Sequence, residues 1–263
     1  MKTEETRQAI EKLKQQGRTF SNIYSDGVIE NAEDLFVNES AIILSYHDHG
    51  VRRLHYCYTD RDSFLELLRS GEIKADRNTV IELMTRDELE NRETFVAAGF
   101  IQIAALMRMS VKNCEQVIKD SVISRYHDDS VGEYPEVGMA EEINKVLWNI
   151  FDTRVSHLQS NDEIAESIRQ MEITVHRNGM GVVDAVLQVK IQPRKFYVNQ
   201  VYNSADRSVI HAMLQTRLNE YYLQGGKYVY AWIERNNIAS LKFHEKYGLK
   251  HDGTWNMVYC PET

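Results

Sequence analysis

The feature that most limits what this chain can become is that it reads in the same order twice. RLHYCYTDRDSFLELL (Arg53 to Leu68) and KFYVNQVYNSADRSVIHAMLQ (Lys195 to Gln215) each set a strand, then an Asp-Arg pair, then an amphipathic helix. MTRDELENRETFVAAGF (Met84 to Phe100) and IERNNIASLKFHEKYGL (Ile233 to Leu249) each place an arginine just after a strand and a glycine thirteen residues on, Arg86 with Gly99 and Arg235 with Gly248. A glycine in that place stops a helix, because it takes the left-handed conformation at no steric cost. The spacing therefore implies two copies of one strand–helix unit, with a boundary near residue 110: a first domain over 1–110 and a fuller second domain over 111–263.

The periodicity fills in both copies. In the first, residues 3–16 read as a helix, Ser40 to Tyr58 as two strands around His47-Asp48-His49-Gly50, Asp60 to Arg69 as a helix, Thr79 to Met84 as a strand, Asp87 to Ala98 as a helix, and Phe100 to Met109 as a strand. In the second, Ile143, Val146, Leu147, Ile150 and Phe151 make an apolar helical stripe. A helix over Asp162 to Gln170 follows, then strands over Met171 to His176, Val182 to Ile191 and Lys195 to Tyr202. A long helix from Asp206 to Tyr222, a strand at Tyr228 to Ile233, a helix at Ile238 to Tyr247 and a last strand complete the chain.

Composition matters here for what it excludes. Lys and Arg total 31 against 39 Asp and Glu, a net charge of −8, and both halves are acidic. Phosphate-backbone binding needs clustered cations, so neither nucleic acid nor an anionic membrane is an expected partner. The longest apolar run, Phe95 to Met107, is broken by Gln102 and falls short of the roughly 18 residues that span a bilayer. Three cysteines at no metal or redox spacing signal neither a disulfide framework nor a zinc ribbon, which makes reducing cytoplasm the expected setting. His47-Asp48-His49 offers two imidazoles, but Asp-His-Gly in a hairpin is first a turn and no third ligand is evident, so no metal is assigned.

After the apolar strand at 228–233 come Asn237, Ser240 three residues on, the pair Phe243-His244, and Gly248-Leu249. This layout resembles the GNAT superfamily of acyl-coenzyme A N-acyltransferases. The resemblance covers Met139 to the C-terminus, and a weaker version covers Ser40 to Met109. It implies an α/β (α+β) fold of two GNAT-like domains, each a mixed, mostly antiparallel sheet with a splayed parallel strand pair and flanking helices. It also implies acetyl-coenzyme A as cosubstrate. The splayed strand, with Gln200, Val201 and Tyr202, would pair with the pantetheine amides as an added strand does. The helix start at Arg207, Ser208 and Val209 would hold the pyrophosphate, and Asn237 and Ser240 would line the same cleft.

The chain departs from the family where the phosphates would lie. Ala205-Asp206-Arg207-Ser208-Val209-Ile210 carries Ser208 and Ile210 in place of the usual glycines, and Asp206 adds a negative charge; Arg207 is the compensating phosphate ligand. Asp206 or Ser204 can equally serve as an N-cap. On the register fixed by Gly248, His244 takes the position of the acid that family members often supply as a tyrosine, and an imidazolium is competent for that work near neutral pH. Tyr247 has the expected chemistry but shares a face with Phe243. Glu234, ending a strand whose Tyr228, Tyr230 and Trp232 share its face, is the candidate base, ahead of Glu172.

In the first copy Glu88 replaces the asparagine and Phe95 the acid, so that copy is a degenerate partner. The leading expectation is acyl transfer, acetyl above all, to the primary amine of a small molecule or peptide. The alternative is a binding or interaction module that no longer holds coenzyme A productively. Aminoacyl-tRNA-dependent transfer is disfavoured by the acidic surface, and edge strands leave homo-oligomerisation open.

Overall fold

The computed structural model describes residues 2–89, 92–113 and 131–262. Cys114 lies outside them, as do parts of the helix expected over Asp87 to Ala98. The chain forms two compact units that interleave in sequence. The first holds Met1–Ala105, Thr153–His157 and Thr254–Thr263; the second holds Leu106–Asp152 and Leu158–Gly253. The division thus differs from a single cut after residue 110. Strand β6 (Phe100–Val111), begun in the first unit, ends in the second, and strand β11 (Lys250–Pro261), begun in the second, ends in the first.

In the first unit, helix α1 (Lys2–Gln16) and the short strand β1 (Phe20–Ser21) precede helix α2 (Asp26–Glu30) and strand β2 (Asp34–Val37). The expected hairpin is present as β3 (Ala41–Asp48) and β4 (Val51–Tyr58), turning through His49 and Gly50, both at positive φ. Asp60 caps helix α3 (Arg61–Arg69) by accepting from the Ser63 N–H, and strand β5 (Thr79–Thr85) follows. The sheet runs β2-β3-β4-β5-β11, with β1 on β4. β4 and β5 are parallel, but paired only from Arg52↔Thr79 to Leu54↔Ile81.

Alternation along β4 sends its two faces to different cores. Cys57 meets Ile10 and Leu13 of α1, with Ile42 and Leu44 of β3. Tyr56 and Tyr58 meet Phe64 of α3 and Phe95 of helix α4 (Arg92–Ala97). Helix α4 starts later than the sequence pattern predicts. Thr85 Oγ1 and Asp87 Oδ1 accept from the Asp87 and Leu89 N–H groups, and such turns compete with helix. Gly99, at φ 81°, closes it.

One charged network is built inside this unit. Arg53, 2% exposed, donates from Nε to Asp48 at 2.6 Å and from Nη1 to Glu82, and reaches the Thr153 carbonyl at 3.2 Å. His157, from the inserted 153–157 segment, lies 3.0 Å from each of Asp48 and Glu82.

The second unit takes up strand β6 (Phe100–Val111) at Leu106. Helices α5 (Ala140–Trp148) and α6 (Asn161–Arg169) follow, the latter opened by a capping box in which Ser160 and Glu163 bond each other's main chain. Next come β7 (Ile173–Arg177), β8 (Val183–Gln192), β9 (Lys195–Asn203), helix α7 (Arg207–Leu223), β10 (Tyr228–Glu234), helix α8 (Ile238–Glu245) and β11 (Lys250–Pro261). The strands lie in the order β6-β10-β9-β8-β7. Successive residues of β8 face opposite layers. Leu187 joins a core under α7 with Met213, Leu214 and Leu218, whereas Val186 joins α5 and α6 through Ile143, Leu147 and Ile164. This sandwich fixes the strand register, since a one-residue slip would exchange the two faces.

Candidate functional site

Among the described residues, the second unit's sheet opens at one place. β9 and β10 run parallel and pair from Tyr228↔Lys195 to Ala231↔Val198, and there the ladder stops. Neither strand stops with it: β9 stays on β8 as far as Asn203, and β10 stays on β6 as far as Glu234. The two parallel neighbours are drawn apart by their outer partners. A bulge lies at the divergence, where the register passes from Val189↔Val198 to Gln188↔Gln200 and leaves Asn199 without an opposite residue. A bulge bends its strand, which here occurs at the residue where β9 leaves β10.

Main-chain direction in the gap follows from one bond. Ser204 N–H donates to the Asp184 carbonyl at 2.8 Å, so antiparallel alternation turns Tyr202 and Gln200 toward β8, and Asn203 and Val201 toward the gap. Of the expected Gln200, Val201 and Tyr202, only Val201 therefore presents its main chain there. Asn203, not singled out from sequence, presents the other; the bulge that sets this alternation has no marker residue. Gln200 is buried with Oε1 unpaired, and Tyr202 donates from its hydroxyl to Ser204 Oγ at 2.9 Å.

At the start of α7, Asp206 is the N-cap. Its Oδ1 accepts from the Ser208 hydroxyl at 2.6 Å and from the Ser208 N–H at 2.8 Å, while Val209 N–H donates to the Asp206 carbonyl. The Ser208 hydroxyl and main chain hold the Asp206 carboxyl below its usual range. The position that favours an anion at a helix start is thus taken by a carboxylate of the chain itself. Arg207 is exposed, and Ser208 and Val209 are partly so.

The start of α8 brings together three expected residues. Asn237 Oδ1 accepts from the Ser240 N–H at 3.0 Å, and His244 Nδ1 lies 2.8 Å from the Ser240 carbonyl, which makes that nitrogen the donor. His244 is 3% exposed, and its Nε2 is buried without a hydrogen-bond partner. Burial lowers its pKa to about 4, so the ring is neutral at pH 7. The imidazolium expected as an acid is therefore not the form this site holds; the free position is an Nε2 lone pair. Tyr247 is fully buried at 0%. Its hydroxyl donates to the His211 carbonyl at 3.1 Å and sits 2.9 Å from His211 Nδ1, and its ring packs on Phe243. It is a core residue of the α7–α8 contact.

Glu234 ends β10 on the face it was expected to share. Val229, Ala231 and Ile233 are buried under the helices, whereas Tyr228, Tyr230, Trp232 and Glu234 are partly exposed on the other side. The aromatic face is continuous. Tyr230 stacks on Tyr228 with ring centroids 5.6 Å apart and on Tyr197 at 4.8 Å, while Arg108 lies 5.8 Å over Trp232. Asp252 fixes Arg108 by accepting from its Nε at 2.7 Å. Tyr197, Arg108 and Asp252 were not singled out from sequence and join this face only through strand pairing. Glu172 lies before β7, two strands from the gap, with burial raising its carboxyl. Among the described residues no cluster of His, Cys, Asp and Glu could hold a metal ion, and no helix is long and apolar enough to cross a membrane.

The sequence matches no family model and no curated protein. Its fold does match solved structures. A tandem GNAT protein from the clavulanic acid biosynthesis pathway is 10% identical, with 84% of this chain and 78% of that chain covered at a TM-score of 0.52. A GCN5-related N-acetyltransferase from Kribbella flavida is 14% identical over 90% of this chain and 92% of that one, with a TM-score of 0.54. The corresponding enzyme from Sphaerobacter thermophilus is 12% identical over 89% and 84%, at 0.55. The splayed parallel pair, the bulge and the flanking helices, together with these likenesses, give this chain the fold of the GNAT superfamily.

Proposed function

We propose that the second unit transfers an acyl group, acetyl in the simplest case, from coenzyme A to a primary amine. The observation that carries this reading is the gap beyond Val198 and Ala231. A pantetheine arm is an extended chain with two amides, and the Val201 and Asn203 main chains are directed to receive such a chain as an added strand. Glu234, partly exposed at the open end of β10, is the carboxylate that takes a proton from the incoming ammonium. The amine then attacks the thioester carbonyl to form the C–N bond, the C–S bond breaks, the sulfur leaves as thiolate, and the proton shed by the nitrogen as the amide forms passes through solvent to the thiolate. A thiol with an ordinary pKa near 8.5 departs without an enforced acid, which agrees with a neutral His244. The aromatic face of Tyr197, Tyr230 and Trp232 favours a small-molecule or peptide amine with a flat apolar body.

A second reading, a module that binds without turnover or has lost the coenzyme, is favoured by one observation: the Asp206 carboxylate at the start of α7. Thiol release from acetyl-coenzyme A, followed across a panel of aromatic and aliphatic primary amines and lysyl peptides, separates the two. Transfer predicts amine-dependent thiol release that falls at least about a hundredfold in Glu234→Gln. Coenzyme binding with no amine-dependent release supports the module.

A further inference from the structure

The first unit has the same kind of gap as the second, and the chain fills it with itself. β4 and β5 cease to pair after Leu54↔Ile81. Into the space beyond comes the stretch 20–24: Phe20 and Ser21 pair antiparallel with Tyr58 and Cys57 of β4. Asn22, 0% exposed, then ties the two sides together. Its N–H donates to the Tyr56 carbonyl at 3.2 Å, and its Oδ1 accepts from the Tyr56 N–H at 2.6 Å. Its Nδ2 donates to the Leu54 carbonyl of β4 at 3.2 Å and to the Glu82 carbonyl of β5 at 2.8 Å. Two residues on, the Tyr24 hydroxyl accepts from the Met84 N–H at 2.8 Å and donates to the Met84 carbonyl at 3.3 Å.

These bonds use the main-chain groups that an extended amide ligand would need. A buried main-chain donor or acceptor left unpaired is destabilising, so a ligand entering between β4 and β5 would first have to break a satisfied set and replace it. Among the described residues no strand occupies the corresponding place between β9 and β10. We propose that residues 20–24 are a built-in occupant of the first unit's gap, so that this unit takes no acyl-coenzyme A and the chain carries one such site rather than two. The count of sites rests on the function proposed for the second unit; the occupancy of the gap does not.

Two measurements on the full chain test this. Hydrogen exchange reads the occupant directly: the Asn22 and Tyr56 amides are expected to exchange as slowly as those in the β3–β4 hairpin, with or without 1 mM acetyl-coenzyme A. Exchange as fast as at residues 25–27 would overturn the proposal, whatever the second unit binds. The other measurement locks the segment. Ser21 and Cys57 face each other in the non-hydrogen-bonded pairing set by the neighbouring Asn22–Tyr56 bond, where Cα atoms lie about 4.5 Å apart and a disulfide fits. Ser21→Cys in a Cys114→Ser background, oxidised with glutathione disulfide, is expected to bind acetyl-coenzyme A as the reduced form does, within about twofold and at one per chain. Two binding events per chain, or one lost on oxidation and restored by dithiothreitol, would show that the segment must leave, and the proposal would fall. If the wild type binds no acetyl-coenzyme A at all, the function proposed above fails, while the exchange measurement still decides the occupancy.

Discussion

A histidine whose Nδ1–H is held by the Ser240 carbonyl has only its Nε2 lone pair to offer, and burial keeps the ring neutral with a pKa lowered to about 4. His244→Phe, with unfolding measured in parallel, should therefore leave kcat for acetyl transfer within about threefold, because a true general acid would take about 10²–10⁴ with it. A hundredfold loss in a folded variant would restore His244 as the acid. Asp206 is a stronger determinant. Asn caps a helix as well as Asp does, so Asp206→Asn keeps the Ser208 bonds and removes the charge. Acetyl-coenzyme A should bind about three- to tenfold more tightly to that variant, the effect of removing one unit charge near a polyanion. Looser or unchanged binding would place the pyrophosphate elsewhere. The cap at Asp206 was legible in the sequence, being a local offer of oxygen to nearby N–H groups, whereas those at Asp60, Ser160 and Asn237 emerged only in the structure. The state of His244 was not legible either, because burial comes from elements far along the chain.

For the elements, most strands and helices follow from periodicity, and the reasons are visible in the β10 pattern, which alternates buried and partly exposed from Tyr228 to Glu234. What periodicity could not give is the end of a ladder. Nothing in Asn199 marks a bulge, and the gap arises because β8 and β6 hold β9 and β10 past the point where those two pair. The direction of the main chain there makes a sharp test. Val201 has its N–H on the gap side, so Val201→Pro removes a donor without removing a bond to β8, the placement in which a strand tolerates proline. That variant should keep its melting temperature within a few degrees yet lose at least about tenfold in acetyl-coenzyme A affinity, one hydrogen bond plus the intrusion of the ring. Equal affinity would mean the coenzyme does not pair with β9.

Over the whole molecule, the doubling was legible because each copy repeats its own local signals, but the interleaving was not. Thr254–Thr263 belongs to the first unit through pairs such as Tyr259↔Ile81, and Thr153–His157 through His157. Residue spacing alone does not encode contacts at such separations. The insertion carries a pH dependence. Partial desolvation works against a charged His157, whose side chain is half exposed, but hydrogen bonds to Asp48 and Glu82 outweigh it and push its pKa up to about 9. Because the folded value lies above the unfolded one, near 6.5, this contribution to stability is fully present below about pH 6.5 and is lost as pH rises through about 9. Urea midpoints should fall between pH 7 and 10 in the wild type and fall less in His157→Gln; equal slopes would remove His157 from the account. On the function proposed here, the gap between β9 and β10 is expected to receive acetyl-coenzyme A while the one between β4 and β5 is not. Isothermal titration of the full chain with acetyl-coenzyme A, against ATP as a control for polyphosphate attraction, distinguishes one binding site from two or none. Micromolar binding at one per chain that ATP does not reproduce is the expected result. No heat, with an unchanged melting temperature at millimolar coenzyme, would contradict it.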